Sequence, residues 1–212
     1  MSKRRPAAEE RLKLADGVTL YFSRHGETEA NVAKRFQGHT INTPLTKLGH
    51  KQAKTIAKIL KAHVDDLAAL KYVCSPLHRT RQTMEIVRGH LHLPLKGYKT
   101  DKRIEEIDLG TWDGLTHKEA RALDPKTFDK REKDKWNVRV PGGESYADVA
   151  DRAERWVKSL KQDTFAISHG AFTRILRGLF LGLSAEEMSA LDEPQGVVFR
   201  VRGDKVKRWD KA

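Results

Sequence analysis

The sequence predicts an α/β protein, a three-layer α/β/α sandwich with a mainly parallel central sheet. Short apolar runs alternate with amphipathic stretches along the chain. That alternation favours parallel strands, since each helix carries the chain back to the starting edge of the sheet. The 212 residues are enough to bury a core. We therefore predict a single domain over residues 17–212, preceded by a basic N-terminal extension over residues 1–16.

Two strand–helix units are predicted in the first half of the chain. Residues 18–23 form an apolar run that predicts a strand. Residues 46–61 predict a helix capped by Thr46, with lysines between apolar residues at helical spacing. A second strand ends at residues 72–74. The next helix is predicted over residues 75–90, with Ser75 as its N-cap and Pro76 at its first position.

The second half continues the alternation. Predicted strands cover residues 103–109, 164–168 and 196–203, and predicted helices cover residues 118–123, 145–160 and 171–183. The segment GTWDG, residues 110–114, reads as a turn. The lysine-rich segment 124–145 matches no single period, and we expect it to cover one edge of the fold.

The chain is strongly basic, with a formal net charge of +12 and a pI near 9.8. The excess belongs to the body, because the first 17 residues contribute only five bases and three acids. A nucleic-acid partner would require a basic face interleaved with exposed aromatic residues. The best candidate segment, residues 126–140, dilutes its bases with Asp129, Glu132 and Asp134. We therefore favour a small anionic substrate over nucleic acid.

The single cysteine and the hydropathy of the chain argue against disulfide-bonded, zinc-binding, secreted and membrane-spanning proteins. Cys74 is the only cysteine, so the chain has no internal disulfide and no cysteine-based zinc site. No segment is apolar enough for a signal peptide or a membrane span. We expect a cytoplasmic protein without a membrane partner, and the sequence leaves its oligomeric state open.

Unusual residues follow three of the predicted strands. These residues are Arg24, His25 and Gly26 after the first strand, Ser75 and Arg79 after the second, and Ser168, His169 and Gly170 after the strand at 164–168. Parallel strands bring such residues to one edge of the sheet, where helices also begin. Singly, each histidine or arginine is more typical of a helix cap or a surface. Together they predict a site for a phosphoryl dianion held by side chains, with no metal and no cofactor.

Several motifs, in this order, resemble the histidine phosphatase superfamily, also called the phosphoglycerate mutase-like family. They are RHGETEAN, RFQG, PLTKLG, CSPLHRT, EEIDLGTWDG, PGGES and ISHGAFTR. They cover the chain from about residue 20 to residue 174, and the first is highly specific. The resemblance implies a phosphoglycerate mutase-like fold.

The same resemblance implies a set of site residues. His25 would be the nucleophile that becomes phosphohistidine, and Glu106 would be the proton donor. The implied phosphate and substrate contacts are Arg24, Asn31, Gly38, Arg79, His169 and Gly170. Strand alternation would place Glu106 and Asp108 on one face, so spacing alone leaves both open as the acid.

The chemistry of the residues supports these roles. A histidine attacks phosphorus only as neutral imidazole, and flanking guanidinium groups favour that form in the empty site. The span from GTWDG to PGGES is short, which favours an open mouth and water as acceptor. We therefore expect metal-independent phosphomonoester hydrolysis, with a 2,3-bisphosphoglycerate-dependent mutase as the alternative. The substrate would be a small phosphorylated metabolite whose organic part the sequence does not identify.

Two other kinds of site, a cysteine phosphatase loop and a histidine metal site, fit the sequence less well. CSPLHR resembles a cysteine phosphatase loop, but that loop requires five residues between cysteine and arginine, and neither Arg79 nor Arg81 has that spacing from Cys74. His90 and His92 have a spacing seen in metal sites, yet no cluster of carboxylates accompanies them. We interpret them as residues of a strand edge.

Overall fold

The computed structural model describes residues 11–212, so most of the predicted N-terminal extension lies outside the described residues. Its strands are β1 (Thr19–Arg24), β2 (Lys71–Cys74), β3 (Lys99–Thr100), β4 (Thr164–Ser168), β5 (Val198–Arg202) and β6 (Lys205–Trp209). They form one sheet in the order β3-β2-β4-β1-β5-β6. The first four strands of that order are parallel, and β5 and β6 add an antiparallel edge.

Helices cover both faces of the sheet. They are α1 (Glu29–Val32), α2 (Lys47–His63), α3 (His78–His90), α4 (His117–Leu123), α5 (Pro125–Lys133), α6 (Tyr146–Lys158), α7 (Gly170–Leu181) and α8 (Ala185–Ala190). Two single turns of 3₁₀-helix cover Lys102–Ile104 and Gly110–Trp112. The predicted cap at Thr46 is confirmed, because its hydroxyl accepts from the Gly49 N–H at 3.0 Å.

Strand alternation separates two cores. Leu20 and Phe22 of β1 point into a core that includes side chains of α6 and α7, whereas Tyr21 points into the core formed with α2 and α3. Residues of β4 divide in the same way, with Ala166 in the first core and Phe165 in the second. This arrangement is the three-layer α/β/α sandwich that the sequence predicts.

The prediction of a strand over residues 103–109 is wrong. The segment forms the turn Lys102–Ile104 and then a loop. Its carbonyls face the Arg152 guanidinium of α6, which donates to the carbonyls of Arg103, Glu105 and Glu106 at 2.7–2.9 Å. These charge-assisted bonds satisfy the backbone without a neighbouring strand.

Other boundaries also differ from the predictions. Helix α3 begins at His78, two residues later than expected, so Ser75 is not its N-cap. The Ser75 hydroxyl instead accepts from the Leu77 N–H at 3.3 Å in the turn before the helix. His90 belongs to the last turn of α3, and His92 has a φ of 57°, so these two residues form no strand edge.

Five helices and strands have no counterpart in the predictions. Helix α5 lies within the lysine-rich segment, where Asp124 caps it by accepting from the Thr127 N–H at 3.0 Å. The others are the short elements α1, β3 and α8 and the edge strand β6. Among residues 11–212, no helix has the length and apolar character needed to cross a membrane.

Candidate active site

The carboxyl ends of β1, β4 and β2 meet because these strands are adjacent and parallel. Arg24 ends β1, and the N–H of His25 donates to the carbonyl of Ser168 at the end of β4 (2.9 Å). His169 comes next, and α7 begins directly after it. Arg79 reaches the same point from the first turn of α3. The fold thus brings the two predicted histidines and two predicted arginines together.

Arg79 lies at the centre of this group and is fully buried. Its Nε donates to His25 Nε2 at 3.2 Å and to His169 Nδ1 at 3.1 Å. Its Nη2 donates to the carbonyls of Gln37 and Gly38 at 3.1 and 2.9 Å. Burial lowers the pKa of Arg79 to about 10, which leaves it charged at neutral pH. The guanidinium therefore fixes both imidazoles against the loop at residues 37–38.

The hydrogen bonds of His25 define its reactive nitrogen. Nδ1 lies 2.8 Å from the Gly26 carbonyl, which only accepts, so the ring hydrogen is on Nδ1. Nε2 then carries the lone pair. Burial, followed by the charges of Arg79 and Arg24, holds the pKa of His25 well below its ordinary value. His25 is consequently a neutral imidazole with an unprotonated Nε2, the form that attacks phosphorus.

His169 and Arg24 present buried donors to the same region. His169 accepts at Nδ1, so its hydrogen is on Nε2; burial and then Arg79 lower the pKa of this imidazole. Its Nε2 and the Nε of Arg24 are buried and have no hydrogen-bond partner among residues 11–212. Buried donors are normally paired, so these two fit the oxygens of a bound anion.

Glu106 is 8% exposed and faces the amino terminus of α7. Oε1 accepts from the backbone N–H groups of Ile107 and Phe172 at 3.0 and 3.2 Å, whereas Oε2 accepts from Ala171 at 3.3 Å. Burial and then the charge of Glu193 raise the pKa of Glu106, and together they outweigh Arg79, the Ile107 N–H and Arg24, which lower it. Oε2 has the weaker set of donors and is the oxygen better placed to carry a proton.

Asp108 occupies a different position. Its carboxylate accepts from the Gly110 N–H at 2.9 Å and lies 3.9 Å from His39 Nδ1. It does not line the cavity beside His25, whereas Glu106 does. The argument that strand alternation puts both carboxylates on one face is wrong, because the segment is not a strand.

Of the predicted substrate contacts Asn31 and Gly38, only Asn31 lines the cavity. Asn31 lines the cavity, and its Oδ1 accepts from the N–H of Thr28 and from Gln195. Gly38 does not line the cavity, and neither do Arg79, His169 and Gly170; the Gly38 N–H donates to Asp113 at 2.7 Å and its carbonyl accepts from Arg79. Gly38 therefore contacts the site through Arg79, while Asn31 borders the ligand space directly.

The cavity above His25 has a volume of about 320 Å³. Its charged lining consists of Arg24, Arg35, Arg131, Lys135, Arg174, Glu106, Glu132 and Glu193. Arg131 is 4% exposed, and its Nε has no hydrogen-bond partner within residues 11–212. Arg174 donates to the Tyr146 hydroxyl, which also lines the cavity, at 3.0 Å. The cavity lining thus carries a second group of cations, formed by Arg131, Lys135 and Arg174.

Sequence reasoning missed this second group and the loop at residues 191–197. In that loop, the Glu193 carbonyl accepts from Arg24 Nη1 at 2.8 Å, and its carboxylate lies 3.2 Å from Arg174. Gln195 donates to the His25 carbonyl at 3.1 Å. The available signal was the four-residue spacing of Arg131 and Lys135. No local signal joins Glu193 to Arg24, 169 positions earlier.

The candidate site contains no arrangement typical of a metal centre. Within residues 11–212, no three His, Cys, Asp or Glu side chains cluster as a metal ion requires. Cys74 is buried, and burial raises the pKa of its thiol to about 12. That thiol is unsuited to nucleophilic attack, in contrast to the reactive thiolates of cysteine phosphatases.

The chain matches a family model and several curated proteins. The model of the histidine phosphatase superfamily (branch 1) matches residues 20–209. A 6-phosphofructo-2-kinase/fructose-2,6-bisphosphatase 3 from Homo sapiens is 36% identical over 185 residues, which are 86% of this chain and 33% of that protein. Its counterpart from Caenorhabditis elegans is 30% identical over 83% of this chain and 37% of its own length. The chain thus spans about a third of the length of these relatives.

Solved structures share the fold. YhfR from Bacillus stearothermophilus has a TM-score of 0.77 and 30% identity, covering 90% of this chain and 95% of its own. A mycobacterial glucosyl-3-phosphoglycerate phosphatase, solved with VO3, has a TM-score of 0.72 and 27% identity over 92% and 99% of the two chains. A putative alpha-ribazole-5'-P phosphatase from Escherichia coli has a TM-score of 0.77 and 24% identity over 92% and 95%.

Proposed function

This protein belongs to the histidine phosphatase superfamily, and we propose that it hydrolyses phosphomonoesters through a phosphohistidine formed on His25. One observation carries the proposal: the neutral imidazole of His25 directs its unprotonated Nε2 into a group of buried donors. A phosphoryl dianion placed there would receive bonds from Arg24, Arg79 and His169. The phosphatases among the similar proteins support this proposal.

The first chemical step transfers the phosphoryl group. The lone pair of His25 Nε2 attacks phosphorus, and the phosphorus–nitrogen bond forms as the ester phosphorus–oxygen bond breaks. Glu106 gives the proton on its carboxyl to the leaving oxygen. Arg24 and Arg79 stabilise the charge on the equatorial oxygens, a contribution typically worth about 3 to 4 kcal/mol for one well-placed donor. This side-chain charge takes the place of a metal ion in the proposed mechanism.

The second step regenerates the enzyme. Glu106 is now a carboxylate and takes a proton from water as the water oxygen attacks phosphorus. The phosphorus–nitrogen bond breaks, its electron pair returns to His25 Nε2, and inorganic phosphate is the product. Because Glu106 ends the cycle protonated, the same carboxyl serves as acid and base.

The second group of cations supports a substrate with two anionic groups. Arg131, Lys135 and Arg174 line the cavity, together with Tyr146. The buried Arg131 guanidinium lies over the Trp112 and Tyr146 rings, and its Nε has no hydrogen-bond partner among residues 11–212. A bisphosphorylated sugar would place one phosphate at His25 and the other at these cations. The name fructose-2,6-bisphosphatase in the relatives supports this substrate class.

A panel of phosphomonoesters tests the proposed function. The panel includes fructose 2,6-bisphosphate, glucosyl-3-phosphoglycerate and p-nitrophenyl phosphate, assayed for phosphate release with and without EDTA. We expect hydrolysis that EDTA does not reduce and that His25→Ala abolishes. His90→Ala, an exposed histidine at the far end of α3, is the matched control. Wild-type turnover in His25→Ala, or phosphoryl transfer only in a 2,3-bisphosphoglycerate-dependent mutase assay, would contradict the proposal.

The substrate class has its own test in Lys135→Ala. Loss of a charge-assisted contact should raise KM for the bisphosphorylated substrate about tenfold. KM for p-nitrophenyl phosphate, which has no second anion, should stay within about twofold. Lys133→Ala removes an exposed lysine that does not line the cavity and serves as the control. Equal changes in KM for both substrates would refute the second anion site.

A further inference from the structure

Glu193 is an acidic residue inside a site built for anions. Its carboxylate lies 3.2 Å from Arg174 and 3.7 Å from Arg24, and its carbonyl accepts from Arg24. It also lies against the start of α7, because a Cβ added to Gly170 would be 2.5 Å from Glu193 Oε2. The side chain is only 27% exposed and lines the same cavity as Glu106.

An acidic group in this position needs a chemical reason. It occupies guanidinium groups that would otherwise contact the substrate, and it opposes the entry of a phosphate dianion by repulsion. A site selected only for phosphate affinity would exclude it. The benefit must therefore lie in the behaviour of the neighbouring groups.

The group that gains from Glu193 is Glu106. Cationic charge faces Glu106 from β1 through Arg24, from α3 through Arg79 and from α7 through Arg174. Further groups are Arg152 of α6 and His39, which bond the Glu106 carbonyl, and the imidazoles of His25 and His169. The arginines and the start of α7 all favour an ionised Glu106, which would be unable to donate a proton, whereas the neutral imidazoles of His25 and His169 add no charge.

We propose that Glu193 is a positioning residue that keeps Glu106 in its protonated form and holds the Arg24 and Arg174 guanidinium groups in the cavity wall through ion pairs. The inference rests on the proposed function, in which Glu106 must donate a proton. A carboxylate beside another disfavours ionisation of its neighbour. Glu106 is buried against the backbone N–H groups at the start of α7, whereas Glu193 forms ion pairs with two arginines, so this repulsion adds to burial at Glu106. Burial and then Glu193 are the two causes that raise the pKa of Glu106, in agreement with this role.

The test is the pH dependence of kcat/KM in Glu193→Gln. The amide keeps the size of the side chain and removes its charge. The high-pH limb, where Glu106 loses its proton, should move down by about one pH unit, the lower end of the shift produced by one nearby charge. At pH values above the limb, kcat/KM of the variant should therefore be about tenfold lower than that of the wild type. At pH values below the limb, the two should agree within about threefold.

Two further variants separate charge from packing. Glu193→Asp keeps the charge and should retain most of the wild-type limb. Asp192→Asn removes the adjacent acid, which pairs with Arg177 and Arg208 and does not line the cavity, so its profile should match the wild type. If Glu193→Gln lowers the melting temperature but leaves the limb in place, Glu193 has only a structural role and the inference is wrong.

A direct titration keeps this test independent of turnover. Carbon-13 NMR of labelled glutamate side chains, with the Glu106 resonance assigned by Glu106→Gln, measures the pKa of Glu106 in the wild type and in Glu193→Gln. We expect a lower pKa in the variant, and an unchanged pKa would overturn the inference. If the wild type released no phosphate from any ester, the proposed function would fail, while this titration would still decide the role of Glu193.

Discussion

Replacing Arg79 with methionine removes the charge at the centre of the site and keeps much of the side-chain length. Arg79 bonds His25, His169 and the carbonyls of Gln37 and Gly38. Loss of one preorganised donor to a transferring phosphoryl group typically costs about 3 to 4 kcal/mol in the transition state. We therefore expect kcat/KM to fall by roughly 10²- to 10³-fold.

The stability of this variant should change much less than its activity. Burial disfavours the charged form of Arg79, as its lowered pKa of about 10 shows, so methionine relieves a desolvation cost. That relief offsets part of the lost bonds to the loop carbonyls. We expect the free energy of unfolding to fall by no more than about 2 kcal/mol.

The pH profile gives a second measurement on Arg79→Met. His25 attacks only as neutral imidazole, so kcat/KM falls as the pH drops through the His25 pKa. Burial is the largest cause that lowers this pKa, and Arg79 is the next. Removing Arg79 should raise the pKa and move the acid limb to higher pH, still below the ordinary value of 6.5 because burial persists.

Phosphate release and chemical denaturation together check this prediction. Arg81→Met, on the exposed side of the same helix, is the matched control and should keep wild-type activity and an unchanged acid limb. An Arg79→Met variant that is folded and loses less than about tenfold in kcat/KM would refute the central role of this guanidinium. An acid limb that stays in place would refute its electrostatic effect on His25.

Three further changes test other parts of the site. Glu106→Gln should lower kcat/KM about 10²-fold for alkyl phosphates and much less for p-nitrophenyl phosphate, whose leaving group needs no proton; equal losses would argue against an acid role. In the wild type, kcat/KM for alkyl phosphates should stay high above the ordinary carboxyl range and fall only as pH rises through the raised pKa of Glu106. Gly170→Ala should weaken phosphate binding in calorimetry, because its methyl group would lie 3.3 Å from Arg24 Cζ and push that guanidinium out of place; unchanged affinity would show that Arg24 does not bind the phosphate.

The residues at the strand ends could be predicted from the sequence. Arg24 ends a short apolar run, and His25 and His169 directly follow such runs. The parallel topology then determines where the ends of these runs meet. Arg79 follows from the same logic one turn into a helix. Local pattern and fold class are sufficient for such positions, because the sheet itself brings them together.

The remaining parts of the site depend on contacts that no local pattern records. Glu106 lies on a loop whose carbonyls are bonded by Arg152, 46 residues later, so a strand period misdescribes it. Glu193 reaches Arg24 from a loop before β5, and that pairing has no sequence period. The segment that contains Arg131 is predicted to cover an edge of the fold because it matches no single period, although the Arg131 side chain is buried against the cavity.

Trapping the phosphoryl-enzyme is the most direct test of the account. Glu106→Gln should slow the attack of water, so brief incubation with a substrate of good leaving group should accumulate label on the protein. Alkaline quenching and peptide mass spectrometry should then locate the phosphoryl group on His25 alone, and the double variant with His25→Ala should carry none. Steady hydrolysis with the phosphoryl group on another residue, or with no phosphoryl-enzyme at any time, would contradict the central claim.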